Sequence, residues 1–182
     1  MTQEAPDTVF LAEDEAGLYL QATTCYVWSP TGQTPIVRAD PGRAKTNFYG
    51  TLNLKTGQEL AMRSDIMNAE VSAQYLEMLL QANPNVPILL FWDRAPWHRG
   101  KPIDQMLEEN PRLEIIFFPT ASPDLNPQEH VWKAVRKEIS HNHLEMRLPE
   151  LAGRFLNHLK STTFSSSFLD KYGYSGICPL FK

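Results

Sequence analysis

VPILLFWDRAPWH, residues 86–98, opens on a continuous apolar run and closes it on an acid, Asp93. The run has the length of a strand and no polar alternation, so it predicts a strand buried on both faces. Such a strand belongs in a sheet with helices above and below. The residues downstream agree. Residues 102–110 read as a short helix with Pro102 in its first turn, and residues 113–119 as another buried strand. Residues 127–140 and 149–160 read as two further helices. Upstream, Asn68 is placed to cap a helix in which Val71, Tyr75, Met78 and Leu79 fall at helical spacing, and Pro84 ends it. Residues 47–54 and 58–63 flank Lys55-Thr56-Gly57 and read as a two-strand meander. Residues 8–13, TVFLAE, read as a buried strand closed by Asp14. Between them, residues 18–37 carry the turn signal Ser29-Pro30-Thr31-Gly32 and read as a hairpin-like excursion. The expected fold is α/β, with five strands in one mixed sheet flanked by helices.

A chain of 182 residues is long enough for one domain with its own hydrophobic core. We expect that domain to occupy residues 1–165, with residues 166–182 a tail that packs on it or frays. The formal net charge is −4, whereas a self-sufficient nucleic-acid-binding domain is typically basic. An enzyme whose acids hold metal ions is compatible with that charge. Cys25 and Cys178 lie far apart, with no Cys or His ligand spacing, so structural zinc is not expected. No positive region precedes an apolar run at the N-terminus, and no apolar run is long enough to span a bilayer. The expectation is a soluble intracellular protein with no membrane partner.

Three acids stand where sites are usually built. Asp14 and Asp93 each end an expected strand, and ligands of open α/β sheets bind beyond the carboxyl ends of strands. Either one also reads as a cap for the turn that follows. In SPDLNPQEHVW, residues 122–132, Asn126 and Pro127 suit a helix start, and Asn126 with Glu129 has capping-box spacing. Taken as a set, Asp14, Asp93 and Glu129 are oxygen ligands of the kind a hard cation such as magnesium takes. Two such ions can activate a nucleophile and stabilise a leaving oxygen in phosphoryl displacement.

ILLFWDRAPWH followed by FFPTASPDLNPQEHVWKAVRK resembles the catalytic domain of insertion-sequence transposases of the mariner superfamily. FLAEDEAG and WSPTGQTP are similar to that family's first strand and to its following segment. Thirty-five residues separate Asp93 from Glu129, close to the family's own spacing. The resemblance runs over residues 8–160 and implies a ribonuclease-H-like (integrase-type) fold with an acidic D, D, D/E triad. It implies that Asp14, Asp93 and Glu129 are catalytic metal ligands for Mg2+ or Mn2+, two ions when DNA is bound. Glu15 is the neighbour that could be confused with Asp14. Asp124 matches a turn residue of the family. Arg94 stands where the family commonly has Asn, and it could contact a phosphate. The family's helix-turn-helix region precedes its first strand, so here it is expected on a separate chain or to have been removed or lost.

The function so implied is that of a DDE-type DNA transposase, a polynucleotidyl transferase. It would hydrolyse phosphodiesters at transposon ends and transfer the strand to target DNA, as a homo-oligomer in the bacterial cytoplasm or nucleoid. Two alternatives stay open: an inactive or repurposed remnant that only binds, and a ribonuclease-H-like nuclease without strand transfer. Candidate nucleic-acid contacts are Arg94, His98 and Arg99 after the Asp93 strand, and Lys133, Arg136 and Lys137 on the helix of Glu129. The last three fall three and four residues apart and are expected on one face. Arg43, Lys45 and Lys101 read as phosphate contacts or as solvated charges. Trp132 reads as core, Trp28 as a packed hairpin aromatic or a contact between subunits, and His141 and His143 as complements to a helix C-terminus.

Overall fold

The computed structural model describes residues 8–37, 43–120 and 122–164, so the expected tail and Cys178 lie outside the described residues. The strands are β1 (Val9–Tyr19), β2 (Lys45–Asn53), β3 (Glu59–Ser64), β4 (Ile88–Trp92) and β5 (Leu113–Phe117). The helices are α1 (Ala69–Ala82), α2 (Lys101–Glu109), α3 (Gln128–Val135) and α4 (Leu148–Ser161). Among the described residues no helix is long and apolar enough to cross a membrane.

The strands form the mixed five-stranded sheet expected from the sequence, in the order β3-β2-β1-β4-β5. β1, β2 and β3 pair antiparallel, while β4 and β5 continue parallel to β1. The meander turns on Gly57, at φ 72°, while Asn53 Oδ1 accepts from the Lys55 and Thr56 N–H groups. Asn68 caps α1 as expected, its side chain accepting from Val71 N–H.

Side-chain alternation along β1 divides the core in two. Ala12, Ala16 and Leu18 join Phe48 and Leu52 beneath Val131, Trp132 and Val135 of α3 and Leu151, Phe155 and Leu159 of α4. Leu11 joins Tyr49, Ile88, Leu90 and Trp92 against Tyr75, Leu76 and Leu79 of α1 and Ile103 of α2. Asp14 therefore shares its face with Ala12 and Ala16, while Glu13 and Glu15 share the face of Leu11.

Four expectations need correction. β1 does not stop at Asp14: it pairs with β2 as far as Tyr19, opposite Lys45. β5 is an edge strand rather than a buried one, with Ile116 40% and Phe117 39% exposed. The helix from 127 is α-helical only to Val135. It then widens into a π-helical turn, Arg136–Ser140, where His141 N–H donates to Arg136 C=O. The excursion after β1 forms no hairpin. It is an exposed arm fastened at its base, where the Asn142 amide bonds both the N–H and the C=O of Cys25.

Candidate active site

A cleft of about 280 Å³ opens beyond the carboxyl ends of β1's parallel segment and β4. The β1–β4 pairing runs out at Ala12 opposite Phe91, two residues before Asp14 and Asp93. Asp14, Asp93 and Glu129 all line the cleft, with Arg94, Asn126 and the chain leaving β5. Parallel strands end here, so their carboxyl-terminal side chains meet a crevice rather than a neighbour.

Each acid is held differently. Asp14 Oδ2 accepts from Trp132 Nε1 at 3.3 Å. Burial, then the charges of Glu15, Glu129 and Asp93, push the Asp14 carboxyl up to about 8. Asp93 Oδ1 accepts from Ala95 N–H at 2.8 Å and faces His98 Nδ1 at 2.8 Å. Burial pushes its carboxyl up, but these two bonds and the His98 charge outweigh that and hold it below the ordinary value. Glu129 lies in the first turn of α3. Asn126 does cap that turn, through Oδ1 and Gln128 N–H. Its own N–H donates to Pro123 C=O, so the expected capping box is not closed by Glu129.

The start of α3 is fastened to the sheet at three points. Asn126 Nδ2 donates to Glu13 C=O at 3.2 Å, Gln128 Nε2 to Glu59 Oε1 at 2.6 Å, and Trp132 Nε1 to Asp14. β2 admits this contact only because residue 50 is glycine. A Cβ there would lie 2.4 Å from the Trp132 ring and 2.6 Å from Gln128 Nε2. Trp132 is core, as expected, and is also a ligand-holding residue that the sequence did not suggest.

His98 is not the phosphate contact expected of it, because it is 3% exposed. Its Nε2 meets Glu15 Oε1 and its Nδ1 meets Asp93 Oδ1, both at 2.8 Å. Burial alone would lower the imidazole, but the hydrogen bonds and charges of Asp93 and Glu15 raise it to about 9. Trp97 Nε1 donates to the same Glu15 oxygen. Glu13, fully buried, accepts from Trp92 Nε1, and burial pushes its carboxyl well above the ordinary value. Donor atoms of Glu13, Glu15 and His98 lie within 4.8 Å of one another. They are no substitute for the cleft as a cation site, because both His98 nitrogens are already engaged with carboxylates. The parity of FLAEDEAG carried a signal for this: Glu13 and Glu15 share the parity of the apolar Leu11.

The other candidates are dispersed. Arg94 lines the cleft with its guanidinium 5.0 Å above the Phe117 ring, and exposed Arg99 donates to Arg94 C=O. Lys133 and Lys137 are exposed. Arg136 is half-buried and lines a separate depression with Tyr19, Thr23 and His141. The π-helical turn interrupts the single face expected for these three. His141 Nδ1 pairs with Thr23 Oγ1 at 2.6 Å, in place of the expected helix-end role. Asp124 is exposed in the turn Pro123–Leu125, outside the cleft lining. Trp28 is wholly exposed, so it is not a packed aromatic.

The donor set of the cleft is carboxylate oxygen, with one arginine at its edge. The mutual repulsion that lifts Asp14 is what a divalent cation would relieve, so these residues fit a hard metal ion. A mixed sheet of this order with an acidic crevice at its strand ends defines a ribonuclease-H-like fold of the nucleotidyl-transferase type. The chain belongs to the DDE superfamily endonucleases, whose family profile matches residues 9–151. It is 27% identical over 135 residues to the insertion element IS630 39 kDa protein of Shigella sonnei. That match covers 72% of this chain and 38% of the relative, so the chain spans well under half the relative's length. The Mos1 mariner paired-end complex with Mn shares the fold at a TM-score of 0.66 and 17% identity, over 94% of this chain and 53% of that one. The catalytic domain of Mos1 mariner transposase does so at a TM-score of 0.61 and 15% identity, over 94% of this chain and 78% of that one.

Proposed function

We propose that this chain is the catalytic domain of a DNA transposase, with Asp14, Asp93 and Glu129 as its metal ligands. It would hydrolyse phosphodiesters at transposon ends and join the freed strand to target DNA. The observation that carries the reading is the meeting of three carboxylates, from β1, the end of β4 and the start of α3, on one cleft. Bound Mg2+ or Mn2+ would activate the attacking oxygen and neutralise charge gathering on the phosphate. Mos1 complexes containing each of these metals share the fold, which supports that choice of ion.

The chain's own residues supply position and charge. Both hydrogen bonds to Asp93 fall on Oδ1, which leaves Oδ2 for the cleft. Trp132 fixes Asp14 from beneath α3, and the Gln128 and Asn126 fastenings place the adjacent Glu129. Arg94 stands at the cleft edge as a phosphate partner. Groups fixed before substrate arrives need no reorganisation during reaction. Recognition of the transposon end would come from a further DNA-binding segment or chain, and the active complex would be a homo-oligomer. The exposed arm carrying Tyr26, Val27 and Trp28 would serve that assembly. The test is cleavage and joining of DNA bearing the element's own end. Asp93→Asn and Glu129→Gln should each abolish both reactions while melting like the parent. Cleavage at the parental rate by either variant would refute the triad. Cleavage without joining would leave a nuclease.

A further inference from the structure

Glu15 and Asp14 are neighbours in sequence but face opposite sides of the sheet, and Glu15 reaches the cleft indirectly. Its Oε1 holds His98 Nε2 at 2.8 Å, and the other side of the same ring holds Asp93 Oδ1 at 2.8 Å. The bridge therefore crosses from β1 to the end of β4 and ends on an acid of the cleft. His98 is fixed in every other direction as well. Its ring stacks on Trp92 with centroids 3.9 Å apart, its N–H closes a turn on Ala95 C=O, and Trp97 Nε1 pins Glu15. Side-chain exposure is 1% at His98 and 2% at Glu15, so neither touches DNA.

We propose that His98 is a positioning residue: oriented by Glu15, its Nδ1–H fixes Asp93 Oδ1 and so presents Oδ2 to the cleft. The inference rests on the reading of Asp93 as a metal ligand. Partners that orient a ligand in this way commonly matter about 10–100-fold in metal affinity or activity. The bridge also gives the adjacent acids separate tasks, with Asp14 facing the cleft and Glu15 orienting the second acid from behind.

The two ring nitrogens can be tested separately. An asparagine amide reaches the position of Nδ1, so His98→Asn keeps a donor for Asp93. A glutamine amide reaches the position of Nε2, so His98→Gln keeps the hold on Glu15 but not on Asp93. The full chain and both variants would be titrated with Mn2+ by calorimetry, melted without metal, and assayed for DNA cleavage, with Asp93→Asn as control. We expect His98→Gln to lose about 10-fold or more in Mn2+ affinity and in cleavage, and His98→Asn to recover most of both. Both variants should melt below the parent. Equal Mn2+ affinity in the two variants, or losses that simply follow the drop in melting temperature, would reduce the bridge to a structural tie and overturn the proposal. If Asp93→Asn itself binds Mn2+ and cleaves like the parent, it is the metal-ligand reading that fails, and this one with it.

Discussion

Glu59 lies on β3 with its carboxyl sunk beneath α3, where Oε1 accepts from Gln128 and Oε2 meets no partner among the described residues. Burial pushes this carboxyl well above its ordinary 4.5. Between 4.5 and the higher folded value, the unfolded chain releases a proton that the folded protein keeps. The stability tied to this group is therefore full below that window and falls as pH rises through it, by at most about 1.4 kcal/mol per pH unit. Glu59→Gln keeps a neutral side chain against Gln128, so it should melt above the parent, by a margin that grows from about pH 5 to about pH 8. A margin independent of pH, read by circular dichroism, contradicts this. Gly50→Ala should cost about 1–3 kcal/mol, because the added Cβ meets the buried Trp132 ring. It should also slow cleavage, since α3 must lift to make room. A variant that melts and cleaves like the parent would show that Trp132 can yield. At this scale the cleft-facing acids were legible, because Asp93 and Glu129 stand in recognisable local text. His98 was not, because its partner Glu15 is 83 residues away and nothing local marks it as buried.

Helices and strands came through the sequence where local pattern decides them. Asn68 caps α1 and Pro102 opens α2, where a side-chain acceptor or a missing N–H settles the matter within one turn. Pattern failed where a distant partner decides. β1 runs on past Asp14 because β2 offers it a ladder as far as Tyr19, and β5 is half-exposed because the sheet ends there. The π-helical turn after α3 lies where Asn142, at φ 53°, reaches back to Cys25, a contact made across 117 residues. The start of α3 carries a prediction of its own. Asn126→Ala removes both the cap on Gln128 and the bond to Glu13 C=O, so it should destabilise by about 1 kcal/mol or more. Because Glu129 follows three residues later, cleavage should fall further than the melting temperature alone accounts for. A loss of stability with an unchanged cleavage rate would show that Glu129 does not depend on this cap.

In the whole molecule, two helical layers clamp one sheet, and the acidic cleft opens at the end where the parallel strands stop. The arm after β1 stands apart from both layers, with Trp28 wholly exposed. Trp28→Ala should therefore leave stability within about 0.5 kcal/mol of the parent. If the arm serves assembly, the same change should weaken the DNA-bound oligomer seen in sedimentation; an unchanged oligomer would remove the arm from that role. The central claim is that Asp14, Asp93 and Glu129 form one divalent-metal site. Calorimetric titration of the parent chain and of Asp14→Asn, Asp93→Asn and Glu129→Gln with Mn2+ tests it directly. The account predicts that the parent binds the ion and that each substitution weakens binding at least about 10-fold in a protein that remains folded. Variants that bind Mn2+ as the parent does, or a parent that binds none, would contradict it.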